Sequence, residues 1–225
     1  MNSKEIIKSI NSIYDKFRIM PNLRLHMLRT AATSELICDN WKGPKINKFD
    51  IITVGLIHDL GNMVKMDLDS ENGLKLIGEE IKHVDYWKKV KQEIILKYGI
   101  DDHRVTEIMI DELNVSNKVK FLLKEHIFVK NELTLNSDDW ELKICAYADQ
   151  RIGPFGVLNL KDRFDEVKKR YADRPNKSVH NKKFDIFVEC SFKIEGQVLK
   201  NVSLSSDEIN DESIKSYLTK YLNIN

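Results

Sequence analysis

Residues 49–61 read FDIITVGLIHDLG, and the way this stretch ends decides how the rest of the chain is read. Asn47 carries a side-chain oxygen suited to capping free N–H groups, so a strongly apolar helix is expected from Phe49 to Leu60. Gly61 is expected to end it in a left-handed C-cap. The last turn then holds His58 and Asp59, where unsatisfied carbonyls give a helix its partial negative charge. That is a favourable place for a cation.

Working outward, helical spacing dominates. Ile6, Ile10, Ile13 and Phe17 define an amphipathic helix ended near Pro21, and the next helix runs to about Trp41, carrying His26 and Arg29. Residues 63–78 are irregular, with an acidic stretch from Asp67 to Glu71, and read as a loop over the end of the apolar helix. Helices are expected over residues 84–98, 102–113 and 116–128. Another follows the Ser137-Asp138-Asp139 start signal and stops at Gly153 and Pro154, with Asp149 in its last turn. Leu160 to Tyr171 forms a further helix, and residues 172–183 are polar and read as loose. Phe184 to Ile194 alternates as a strand would, but also suits a helix; helix is preferred because a lone strand would have no partner. A closing helix is expected from Asp211 to Leu222. The fold class is all-α.

The chain has 225 residues, 42% of them hydrophobic, enough for one sizeable core and a single domain. Its 36 lysines and arginines against 35 acids leave a net charge of +1, too little for a global field that draws in nucleic acid or an anionic membrane. Recognition of phosphate must be local. Cys38, Cys145 and Cys190 form no CxxC pair, which argues against a disulfide framework or a thiolate zinc site and fits a reducing cytoplasm. No apolar run approaches the ~20 residues that span a bilayer. Lys168, Lys169 and Arg170 read as a solvated helix face, His83 and His180 as surface residues, and Trp41, Trp87 and Trp140 as packing residues.

Imidazole nitrogen with carboxylate oxygen is a ligand set for manganese, iron, zinc or nickel. The chain offers it in the order His26, His58 with Asp59, and Asp149. Arg29 lies one turn beyond His26, and Arg151 follows Asp149, so two guanidinium groups suited to bidentate phosphate recognition are expected beside the site.

The stretches RLHMLRTA (24–31), GLIHDLGN (55–62) and CAYADQRIG (145–153) together resemble the HD superfamily of metal-dependent phosphohydrolases. The resemblance implies a single HD-type helical bundle domain over residues 22–171. Residues 1–21 would form an N-terminal helix packed on it, and residues 172–225 a C-terminal helical extension. It implies one or two divalent ions (Mn, Fe, Ni, Zn or Mg) held by His26, His58, Asp59 and Asp149. The segments DDHRVTEIMIDEL (101–113) and FLLKEHIF (121–128) resemble those that place extra histidines in two-metal branches, which makes His103 and His126 candidate second-metal or substrate ligands. The doubled histidine of HD-GYP proteins is replaced by Glu125-His126 and the GYP motif is absent, which disfavours a cyclic-di-GMP phosphodiesterase. Many relatives carry a phosphate-contacting lysine after HDLG; Asn62 stands here, and Lys65 could reach the same space.

The implied activity is hydrolysis of a small phosphate ester, a nucleotide or similar, by a metal-activated water. Asp59, Arg29 and Arg151 would act at the reacting group, with Asp67, Asp69 and Glu71 as general-acid candidates by position alone. The implied partner is a small phosphorylated molecule, with no specific nucleic-acid or membrane binding. Two alternatives share the pattern: a mixed-valent di-iron oxygenase, and a noncatalytic regulatory module, against which the complete ligand set counts.

Overall fold

A computed structural model describes residues 1–172 and 182–224. Two short helices, α1 (Ser3–Lys8) and α2 (Ile10–Lys16), precede the long α3 (Pro21–Asp39) and the apolar α4 (Lys48–Ile57). A 3₁₀ turn over Leu60–Lys65 leads to α5 (Glu71–Ile77), then α6 (Val84–Tyr98), α7 (Asp102–Leu113) and α8 (Asn117–Glu125). The short α9 (Asn131–Asn136) is followed by α10 (Trp140–Gln150), α11 (Leu160–Arg170), α12 (Lys182–Leu199) and α13 (Asp211–Leu222). Among the described residues the only β pairings are isolated bridges, Trp41 with Val202 and Ile152 with Val157. The fold is all-α, and Phe184–Ile194 is helical within α12.

The centre is the crossing of α3 and α4. Every residue of α4 from Asp50 to Ile57 is buried, so this helix runs through the core. Gly55 makes the crossing close: a Cβ there would sit 2.8 Å from the backbone of Ala31. α10 packs against both, so the three ligand-bearing segments are mutual neighbours.

The flanking segments are built into the same core, which runs continuously from Ile6 to Tyr221. Tyr14 of α2 is fully buried and donates its hydroxyl to the Leu56 carbonyl at 2.7 Å, satisfying an orphan acceptor in the last turn of α4. α13 lies on α3, where Glu35 accepts hydrogen bonds from Lys220 and the Tyr221 hydroxyl of α13 and pairs with Lys48 at the start of α4. α12 packs against α9 and α10.

Four local expectations change. Pro21 is the first residue of α3 rather than the terminator of the helix before it, which ends at Lys16 and is followed by Arg18 with φ 53°. Residues 63–78 are not a plain loop, because Lys65 closes a 3₁₀ turn and Ser70 caps α5 through the Gly73 N–H. α9, a single polar turn and a half, was not expected. Gly61 is not a left-handed cap; positive φ occurs at Gly78 and Gly99 among the described glycines. The expectations for His180 and for a loose segment over 173–181 lie outside the described residues. None of the described helices is long and apolar enough to cross a membrane.

Candidate metal centre

α4 ends because the His58 N–H donates to Val54 O and Asp59 then leaves the helix with φ −113° and ψ 21°. The chain turns at once into 3₁₀ geometry, with Asn62 N–H donating to Asp59 O at 3.0 Å. Gly61 permits that turn by proximity: a Cβ would lie 2.3 Å from Asp102 O and 2.6 Å from Thr106 N. Its N–H donates to the Thr106 hydroxyl at 2.9 Å, which locks the turn against α7. His58 and Asp59 are thereby held facing His26 of α3 and Asp149 in the last turn of α10.

His26 Nε2 and His58 Nε2 are 3.2 Å apart. Asp149 Oδ1 lies 3.1 Å from the His58 nitrogen and 3.5 Å from that of His26. Asp59 Oδ2 lies 3.5 Å from His26 Nε2 and 3.7 Å from His58 Nε2. Donors about 2.1 Å from a shared ion would be separated by about 3.0 Å in cis octahedral and about 3.4 Å in tetrahedral geometry. His26, His58 and Asp59 already form a compact ligand group with all donor atoms within 4.8 Å, and Asp149 closes on both imidazoles. The donor set and spacing fit a borderline divalent cation.

The electrostatics fit as well. Burial works against a charge on His58, but Asp59 and Asp149 outweigh it and raise its pKa to about 9. Burial alone would raise Asp149; the two imidazoles instead hold its carboxyl well below the usual carboxylate range. The His58 Nδ1–H donates to Gly55 O at 3.0 Å, which fixes the tautomer that leaves Nε2 toward the site when the ring is neutral. His126, in the turn that ends α8, stands edge-on to His58 with ring centroids 5.8 Å apart. Its Nδ1–H points to the carbonyls of Leu122 and Leu123, and burial, with His58 nearby, lowers its pKa.

A family model for the HD domain matches residues 24–151, more than half of the chain. The chain belongs to the HD domain family. Comparison with curated proteins and with solved structures finds no match.

The four residues His26, His58, Asp59 and Asp149 line a cavity of about 830 Å³. Asn62, Lys65, His103 and His126 all line it. Lys65 is half-exposed and donates to Asp102 at 2.6 Å, and Asp59 and Asp102 together keep it charged against the burial that opposes this. His103 is exposed on the cavity wall, at the start of α7. Of the acidic residues after the pair, only Asp67 lines the cavity; its carboxylate accepts from Ser70. Asp69 pairs with Lys88 and Glu71 with Lys75.

The two arginines expected beside the metal are elsewhere. Arg151 is 2% exposed and its guanidinium is saturated. It donates to the carbonyls of Leu158, Ser206 and Ile209 and to the hydroxyls of Tyr147 and Ser206. It therefore pins the segment before α13 to the end of α10, with nothing left for phosphate. Arg29 follows His26 along α3 but does not line the cavity; it is half-buried, and the charge that faces it is Asp211 of α13. The cavity's guanidinium groups are instead Arg163 and Arg170 of α11, with Tyr171 beside them. Arg170 thus belongs to the cavity wall and not only to a solvated face. The readable signal was their separation by two helical turns, with Glu166 between them.

Proposed function

We propose that this HD domain is a metal-dependent phosphohydrolase acting on a small phosphate ester, a nucleotide or similar. The observation that carries the reading is the convergence of two imidazole nitrogens and two carboxylates, 3.1–3.7 Å apart across the His–Asp pairs, from residues that line a cavity of about 830 Å³. That volume lies in the range that encloses small organic ligands. A divalent ion held by His26, His58, Asp59 and Asp149 would polarise a phosphoryl oxygen and lower the pKa of a water toward neutrality.

The chain's own residues supply the rest. Gly55 and Leu122 carbonyls orient His58 and His126, so neither ring must reorganise during turnover. Lys65, anchored on Asp102, puts a cation on the Asp59 side of the cavity, where it would offset charge on a bound phosphate. His126, with His103 on the wall above, is available to a second ion or to substrate. The near-neutral net charge supports a small ligand over a nucleic acid or membrane partner.

Metal analysis of the purified protein, followed by a phosphatase and phosphodiesterase screen with manganese, nickel or iron, tests the reading with Asp59→Ala as control. Ester hydrolysis that depends on the metal and on Asp59 is the expected result. Protein that stays metal-free and inactive under every condition defeats it. Oxygen-dependent turnover with bound iron would move the site to the oxygenase branch of the superfamily.

A further inference from the structure

Within the cavity, α11 carries a group of charges that differs from every other ion pair on its walls. Arg163 Nη1 contacts Glu166 Oε2 at 2.6 Å, and Arg170 reaches the same carboxylate, Nε to Oε1 at 3.1 Å and Nη2 to Oε2 at 3.3 Å. Two guanidinium groups share one carboxylate, and no second acid pairs with either among the described residues. Lys65, Lys120 and Lys130 are instead matched one to one, with Asp102, Asp111 and Glu125. Lys124 has no ion pair among the described residues but is exposed, where charge is strongly screened. The ligand set adds no positive surplus, because Asp59 and Asp149 neutralise a divalent ion. Asp67, which accepts from Ser70, and Glu107, paired with Arg104, also line the cavity, so what sets α11 apart is the meeting of two guanidinium groups on one carboxylate, a local attraction for an anion.

Arg163 carries a second mark of an unfilled role. Its side chain is 18% exposed, and its Nε is buried with no hydrogen-bond partner among the described residues. A buried donor left unpaired is costly, and an anion entering the cavity would relieve that cost. Burial and the neighbouring Arg170 lower its pKa, against the charges of Glu166 and Asp149, and both Arg163 and Asp149 line the cavity. Leu23, Leu76, Ile110 and Leu123 also line the cavity and give it apolar surface suited to an uncharged organic remainder.

We infer that Arg163 and Arg170, held together by Glu166, form the anion subsite of this cavity and select phosphate monoesters, as dianions, over diesters. The inference rests on the phosphohydrolase reading for its substrate class. A monoester presents three terminal oxygens and up to two negative charges to the two forks; a diester presents two oxygens and one charge. Glu166 sets the strength of the site, since it cancels half of the positive charge.

The test is calorimetric binding of inorganic phosphate, with and without manganese, to the wild type and to Arg163→Met, Arg170→Met, Arg163→Lys and Glu166→Gln. Kinetics on p-nitrophenyl phosphate and its bis-ester accompany it. Each methionine variant is expected to raise the phosphate Kd at least 10-fold with manganese content unchanged, and Glu166→Gln to lower it several-fold. Arg163→Lys, which keeps the charge but loses the fork, should fall between. Monoester kcat/KM should exceed that of the diester, and Arg163→Met should erase most of that preference. Wild-type phosphate affinity in both methionine variants overturns the inference, as does no gain in Glu166→Gln or a preference for the diester. Gain in Glu166→Gln cannot come from misfolding, which guards against a loss caused by structure alone. Protein that binds phosphate through these arginines yet hydrolyses no ester refutes the phosphohydrolase reading and leaves the anion subsite standing. Active protein whose methionine variants bind phosphate normally does the reverse.

Discussion

The Nε2 atoms of His26 and His58 face one another at 3.2 Å, and each lies within 3.7 Å of carboxylate oxygens from both Asp59 and Asp149. Two imidazole nitrogens at that distance need a proton or a cation between them. His26→Ala and Asp149→Ala should each weaken manganese binding by more than the roughly 10–100-fold that loss of an outer partner costs. Far-UV circular dichroism should be unchanged in both, because the helices have a core of their own. Unaltered metal affinity in the two variants would refute the ligand set.

Arg151 should behave as a structural residue. Arg151→Met removes a buried guanidinium from five acceptors and should destabilise the fold by roughly 3 kcal/mol or more in urea titration. Manganese affinity of the folded variant should stay within a few-fold of wild type. A stable variant with impaired turnover would instead return Arg151 to the reacting group.

Gly61→Ala should cost about 1–3 kcal/mol through overpacking, since its new methyl would meet Asp102 O and Thr106. The same clash pushes on the turn that orients Asp59, so metal affinity should fall together with thermal stability. A variant that keeps both would show that the turn yields freely.

Glu35 gives the fold an acid-sensitive clasp. Burial would raise its pKa, but hydrogen bonds from Lys220, Tyr221 and Lys48 prevail and lower it. A carboxyl whose folded pKa is depressed contributes stability above the unfolded value near 4.3, and that contribution fades as pH falls through the folded pKa. Unfolding free energy should therefore drop between neutral pH and about pH 3 less steeply in Glu35→Gln than in wild type. Equal slopes in the two proteins would rule the clasp out.

The candidate ligands His58, Asp59 and Asp149 were legible because each is tied to local chemistry: an apolar run that stops on His58 and Asp59, and a helix end at Asp149. Their mutual approach follows once α3, α4 and α10 pack together. Arg151 was misread because four of its five hydrogen bonds go to residues 7 to 58 positions away, and no local pattern separates a saturated guanidinium from a free one. Arg163 and Arg170 were passed over for the converse reason: a charged helix face looks alike whether it meets water or a cavity. Gly61 was assigned to handedness when its role is clearance, a property of the neighbouring α7 and not of the chain around it. The resemblance to the HD family pointed to the candidate metal centre, while the shape of the cavity around it depended on tertiary contacts.

The contact between α13 and α3 also has a consequence in time. Lys220 and Glu35 are 185 residues apart, so a ribosome completes the helix bearing His26 long before it makes the helix that covers it. Until then the outer face of α3 is bare and Glu35 is without two of its three partners. The helix bearing His26 thus waits for α13, and a nascent chain paused before Asp211 would meet chaperones and proteases with all four candidate ligands already translated.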